Sequence, residues 1–245
     1  MKKKSMKILI LLFIPIIIYV IYINNNNDNM IYLPLGDFLA IGVDEVGQTG
    51  HGYSDFVSEY LKKSGNLRFA TKQYLDVNQT LNDIYKDIRE NRKIEIDGKT
   101  TNIRRLLREA SLVTVSAGLN DLRQIIDTYD GKPLDSFTRK KIIAEIKERL
   151  DNTISEIKKY HQHNIFIIGY HNIYIDNKER TIMIKKLNIM LREYAQRNNL
   201  IFIEINDLFG EDSIHIERGS HFYITKSGHR AISERIINQF SNNAS

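Results

Sequence analysis

The chain has 245 residues, 42% of them hydrophobic and 27% charged, which suits one packed domain with an N-terminal appendage. It has no cysteine, so disulfides, thiolate metal sites and a cysteine nucleophile are excluded. Of its net charge of +5, four charges come from Lys2, Lys3, Lys4 and Lys7, so the rest is near neutral and gives no reason to expect a nucleic-acid partner.

Residues 8–23 form an uncharged apolar run with lysines before it and asparagines after it. No small-residue cleavage site follows, as a removed signal peptide would need. The run is slightly short of the roughly 17–25 residues that cross a bilayer. Lys7 can snorkel, Tyr19 and Tyr22 can sit at the interface, and Pro15 is tolerated there. The expectation is a retained membrane anchor over residues 1–29, with cleavage and secretion as the alternative. The flanking lysines keep the N-terminus in the cytoplasm and place the domain, residues 30–245, outside. Without cysteine there is no lipoprotein anchor.

After the polar tether Asn24–Asn29 the chain alternates strand-like and helix-like segments, which predicts one α/β domain with a parallel sheet. Strands are expected at Ile31–Leu35, Leu67–Tyr74, Leu112–Ser116, Ile165–Tyr170 and Ile201–Ile205. Helices are expected at Tyr53–Lys63, Gln79–Asn91, Ile103–Ala110, Ser136–His161 and Asp176–Asn198, and from about Lys226 onward. Ile94–Gly98 reads as a small hairpin arm, with Thr100 or Thr101 capping the next helix. In such sheets function gathers past the carboxyl ends of the strands.

Three motifs fall there. Leu35-Gly36-Asp37-Phe38-Leu39 follows the first strand, Val115-Ser116-Ala117-Gly118-Leu119-Asn120-Asp121 follows the third, and Thr225-Lys226-Ser227-Gly228-His229-Arg230-Ala231-Ile232 opens the final helix. In this order, over residues 31–240, they resemble the SGNH/GDSL family of esterases, lipases and acylhydrolases. Gly52-Tyr53-Ser54-Asp55 and Gly169-Tyr170-His171-Asn172 are similar to that family too. The resemblance implies a flavodoxin-like three-layer α/β/α sandwich with a five-stranded parallel sheet. It also implies ester hydrolysis by a serine after Gly-Asp, a histidine base and an orienting aspartate. The oxyanion would be held by backbone N–H groups and the asparagine of Gly-x-Asn-Asp.

Mapped residue by residue, Phe38 occupies the nucleophile position, and a phenyl ring has no atom that can attack. The oxyanion positions fall on Asn78, Gly118 and Asn120. Counting five back from Gly228 puts Tyr223 at the base position, and Ser220 then falls at the acid position. Two alternative bases remain open: His215, in the literal spacing Asp212-Ser213-Ile214-His215 but thirteen residues from Gly228, and His221. Ser54, Ser116 and Thr80 are the loop hydroxyls that a displaced nucleophile would draw on. Asp37 reads first as a helix cap. His161, His163 and His171 lack paired carboxylates at ligand spacing, so neither a metal nor a cofactor is expected.

Three functions follow as expectations. The first is a surface-anchored module that has lost hydrolysis and keeps a ligand-binding or scaffolding role. The second is an active ester hydrolase working through His215 or His221. The third is a structural partner in a membrane complex. The resemblance points to an acyl-ester, lipid or acetylated cell-wall saccharide as ligand.

Overall fold

β1 (Met30–Gly36) opens the domain and is buried along almost its whole length, the behaviour of a central strand covered on both faces. A computed structural model describes residues 30–43, 48–129, 132–174, 176–210, 213–216 and 222–243. The apolar run 8–23, the tether 24–29, Asp212, Ser220 and His221 lie outside these residues. Among the described residues no helix is long and apolar enough to cross a membrane.

After β1 come α1 (Phe38–Ile41), α2 (Tyr53–Lys63), β2 (Leu67–Ala70) and α3 (Leu81–Arg89). Next are β3 (Lys93–Ile96), β4 (Lys99–Asn102), α4 (Ile103–Glu109), β5 (Leu112–Ser116) and α5 (Leu119–Asp127). The chain continues through α6 (Ser136–Lys158), β6 (Ile165–Ile168), α7 (Lys178–Arg197), β7 (Ile201–Ile203), a 3-10 turn (Asn206–Leu208) and α8 (Lys226–Asn243). The five-stranded sheet is parallel throughout, in the order β2-β1-β5-β6-β7. β5 and β6 are as fully buried as β1, whereas the edge strands β2 and β7 are mostly half-buried. That contrast explains why β1, β5 and β6 read as continuous apolar runs.

α3, α5, α6 and α7 pack with one another on one face, and α2 packs with α8 on the other, which makes three layers. The hairpin β3–β4 stands outside the sheet. Its helix is not capped by Thr100 or Thr101, which are paired within the hairpin to Glu95 and Ile94. Asn102 caps α4 instead, accepting from the Arg105 N–H at 2.9 Å. α3 starts at Leu81 with a capping box between Thr80 and Asp83, worth about 1 kcal/mol. β2 ends at Ala70, earlier than its apolar run suggests, because the chain turns there and buries Tyr74 against the hairpin side, its hydroxyl donating to Arg92 O at 3.0 Å. α1 follows Asp37, the residue read as a helix cap, whereas α5, directly after Gly118, is a helix that was not expected.

Candidate functional site

The strand ends of β1 and β5 meet at Gly36. Its φ is +143°, and a β-carbon there would lie 2.2 Å from Ser116 O, so only glycine lets the chain cross so close. Asp37 is anchored on the next step by its N–H to Ser116 O at 3.0 Å. Its Oδ1 accepts from the Leu39 N–H at 3.1 Å and caps α1, as expected. Its Oδ2 accepts from the Tyr170 hydroxyl at 2.6 Å. Complete burial pushes the carboxyl up to about 7, against the hydrogen bonds from Tyr170, Leu39 and Ser116 that favour its charge. Asp37 heads a buried polar string: Ser116 Oγ receives the Tyr53 hydroxyl at 3.2 Å, and Thr114 Oγ1 lies 3.0 Å from the Tyr32 hydroxyl.

The hydroxyls that could replace a missing serine are engaged in structure. Ser116 is fully buried within this string. Ser54 is buried and donates to Ala40 O at 2.7 Å. Thr80 is held by Asp83 at 2.6 Å.

Phe38 is 4% exposed. Its ring stacks on Phe222, with centroids 4.7 Å apart and planes 25° apart. Tyr223 meets Phe222 edge-on at 5.1 Å, and the Arg123 guanidinium lies over the Phe222 ring at 5.8 Å. Arg123 in turn donates to Asn120 Oδ1 at 3.4 Å. Phe38, Asn120 and Tyr223 therefore converge at the carboxyl end of the sheet. Phe222 and Arg123, which join them, are residues that the motifs do not point to.

The expected oxyanion donors face inward. Asn120 donates from Nδ2 to Val77 O at 3.0 Å and to Gln79 O at 3.1 Å, which uses both hydrogens of the amide. The Asn78 N–H donates to Asp76 Oδ1 at 2.9 Å. In this arrangement the Asn120 amide hydrogens and the Asn78 N–H are all engaged within the protein. Asn120 braces the loop after β2. Its neighbours complete the brace: Gln79 Oε1 accepts from the Gly36 N–H at 3.1 Å, and Asp121 accepts from the Leu81 N–H at 2.9 Å and from Arg149 at 3.1 Å. Gly118 takes a φ of +121° at the start of α5, a conformation that favours glycine.

The C-terminal segment folds back on itself. Ile216 and Ile224 form an antiparallel bridge, and the Thr225 N–H donates to His215 O at 3.0 Å. A β-carbon on Gly228 would lie 2.5 Å from that same oxygen. His215 thus abuts the start of α8 in space, although thirteen residues separate it from Gly228, and Tyr223 lies on the returning limb of the excursion. His215 Nδ1 is 3.2 Å from Ser227 Oγ, which also bonds Ile214 O at 3.1 Å and lies 2.8 Å from Thr225 Oγ1.

Two further histidines, His161 and His229, are buried. His161 is buried with Nδ1 3.0 Å from Leu107 O. His229 is buried with no hydrogen-bond partner for Nδ1 among the described residues; burial, with His171 and Lys72 nearby, pulls it down to about 3. Among the described residues no group of three histidine or carboxylate side chains could hold a metal ion.

Solved structures similar to this chain include lipases and esterases. The chain is similar to the lipase Lip_vut3 from a goat rumen metagenome, at 14% identity and a TM-score of 0.66, over 85% of this chain and 96% of that one. It is similar to a catalytic mutant of Axe2, an acetylxylan esterase from Geobacillus stearothermophilus, at 14% identity and a TM-score of 0.63, over 87% and 95% of the two chains. A lipase/acylhydrolase from Enterococcus faecalis matches at 14% identity and a TM-score of 0.61, over 87% and 96%. No protein-family model and no curated protein matches the sequence.

Proposed function

From the premise of an SGNH/GDSL hydrolase fold, we propose that this protein no longer turns over esters by the serine route. It serves instead as a ligand-binding or scaffolding module, held on the outer side of the membrane by residues 8–23. The observation that carries this reading is the stacked pair Phe38–Phe222 at the nucleophile position. The pair supplies no attacking atom and covers the place where one would act. The inward-turned amides of Asn120 and Asn78 support the same reading, because an oxyanion hole needs donors free to meet developing charge. The family resemblance and the lipase and esterase neighbours suggest an acyl-ester, lipid or acetylated saccharide as the ligand class.

The test is ester hydrolysis by the full chain with short-chain esters. Binding and dipoles alone leave roughly 10³–10⁴ of acceleration over water in a disabled serine hydrolase, so a trace rate fits the proposal. Turnover in the ordinary range of about 1–10³ s⁻¹ overturns it.

A second reading keeps hydrolysis. Its support is His215, which carries the literal Asp-x-x-His spacing and, through the fold-back at Ile216 and Ile224, takes up a place ahead of α8. On this reading His215, and not Tyr223, stands at the base position. The hydroxyl beside its ring is that of Ser227, 3.2 Å from Nδ1. Labelling of Ser227 by a fluorophosphonate would decide for it.

A further inference from the structure

Away from the strand ends, α6 and α7 enclose a groove of about 350 Å³ between them. Its apolar part is Ile143, Ala144, Ile189 and Met190. Ile189 is 50% exposed, an unusual place for a large aliphatic side chain on an otherwise amphipathic helix. Lys140, Lys147 and Lys186 line the same groove. Lysine stems extend apolar walls while their ammonium groups stay at the rim.

The charge there is not balanced. The groove's two arginines are neutralised, Arg139 by Glu179 at 2.6 Å and Arg197 by Glu193 at 3.0 Å. Among the described residues none of the three lysines has an ion-pair partner. An apolar trough with three uncompensated cations complements a ligand with an apolar body and an anionic head. The volume lies at the small end of the roughly 300–1,000 Å³ that ligand pockets span. That leaves room for one acyl chain.

We propose that the α6–α7 groove binds a single-chain anionic amphiphile of the fatty-acid type, its chain along Ile143, Ile189 and Met190 and its carboxylate among Lys140, Lys147 and Lys186. This site shares no residue with the strand-end site and does not rest on the function proposed above.

The probe is dodecanoate, titrated into the full chain reconstituted in zwitterionic nanodiscs with methyl-labelled methionines. The Met190 methyl resonance should shift saturably, while Met183, fully buried elsewhere on α7, should not. The triple variant Lys140→Gln, Lys147→Gln, Lys186→Gln should bind about tenfold more weakly, since exposed charge pairs each contribute modestly. Ile189→Asp should abolish the shift; the position is half exposed, so the variant keeps the fold if the triple one does not. An equal response to dodecanol, or undiminished affinity in the triple variant, overturns the proposal in favour of simple partition. A Met190 response that requires phosphatidylglycerol in the bilayer, or that only an acidic amphipathic peptide produces, overturns it in favour of a lipid surface or a protein partner.

Discussion

Phe222 lies flat against Phe38, their ring centroids 4.7 Å apart, although 184 positions separate them in the chain. Phe38 stands directly after β1, and Phe222 is delivered by the excursion that leaves at Ile216 and returns at Ile224. The contact sits at the carboxyl end of the sheet, where the Arg123 guanidinium lies over the Phe222 ring and reaches Asn120 Oδ1.

Placing a serine at position 38 should therefore not produce an active ester hydrolase by itself. Phe38→Ser leaves Phe222 over the site and the Asn120 amide tied to Val77 and Gln79. The double change Phe38→Ser, Phe222→Ala opens the site and should raise kcat/KM for a short-chain ester above the single variant. Adding His215→Ala to the double variant separates the two candidate bases. Loss of the gain marks His215, and an unchanged gain clears it. Tyr223 is a poor base near neutral pH, with an ordinary pKa of about 10.

Phe222→Ala alone removes a stacked aromatic pair worth about 0.5–1.5 kcal/mol beyond its buried area. The expected outcome is a lower urea midpoint with an unchanged slope, since the sheet and its helices are untouched. Faster protease cleavage near residue 222 should accompany it.

Two buried groups set opposite pH dependences. Asp37 is held at about 7 against an ordinary 3.8. The folded state therefore binds its proton more tightly, and this group's contribution is greatest below about pH 4 and is lost as pH rises toward 7. His229 is pulled from 6.5 to about 3. The unfolded state then takes the proton first, and stability is lost as pH falls below about 6.5. In the native chain the two slopes oppose each other between about pH 4 and 6.5. Asp37→Asn should leave a stability that rises with pH across that window, and His229→Leu one that falls. Urea midpoints at half-unit pH steps check both signs, and parallel profiles for the two variants would contradict the assignment.

His229→Leu also bears on packing. A buried nitrogen without a partner costs free energy that an apolar group of similar size does not. At pH 7 the variant should be as stable as the native chain or more so. A loss beyond about 2 kcal/mol would show that the ring is bonded after all.

Asn120→Ala should destabilise the domain. It leaves the carbonyls of Val77 and Gln79 short of donors in a buried place, at a cost of about 1–3 kcal/mol. Asp121→Ala should cost at least as much, because it takes the acceptor from the buried Leu81 N–H and leaves Arg149 with Glu145 alone. Denaturant titrations of the two variants test the brace. A change in ligand binding without a change in stability would return Asn120 to the role the motif implies.

The sequence by itself determined the parallel sheet, because β1, β5 and β6 are covered on both faces and are therefore written mostly in apolar residues. It determined the glycine at position 36, where no side chain fits beside Ser116. It also determined that residue 38 cannot attack a carbonyl, since that is a property of a phenyl ring wherever it sits. The helix cap at Asn102 and the helices α1 and α5 were less legible, because short elements carry too few residues to show a period. What the tertiary structure alone decided is which groups face which. Asn120 has the same amide whether it points at a ligand or at Val77 and Gln79, and only the packing of α5 against the loop after β2 selects between them. His215 and Tyr223 compete for one place along the chain, and counting residues favours Tyr223. The bridge from Ile216 to Ile224 lets the chain leave and return, so distance along the sequence no longer measures distance in space.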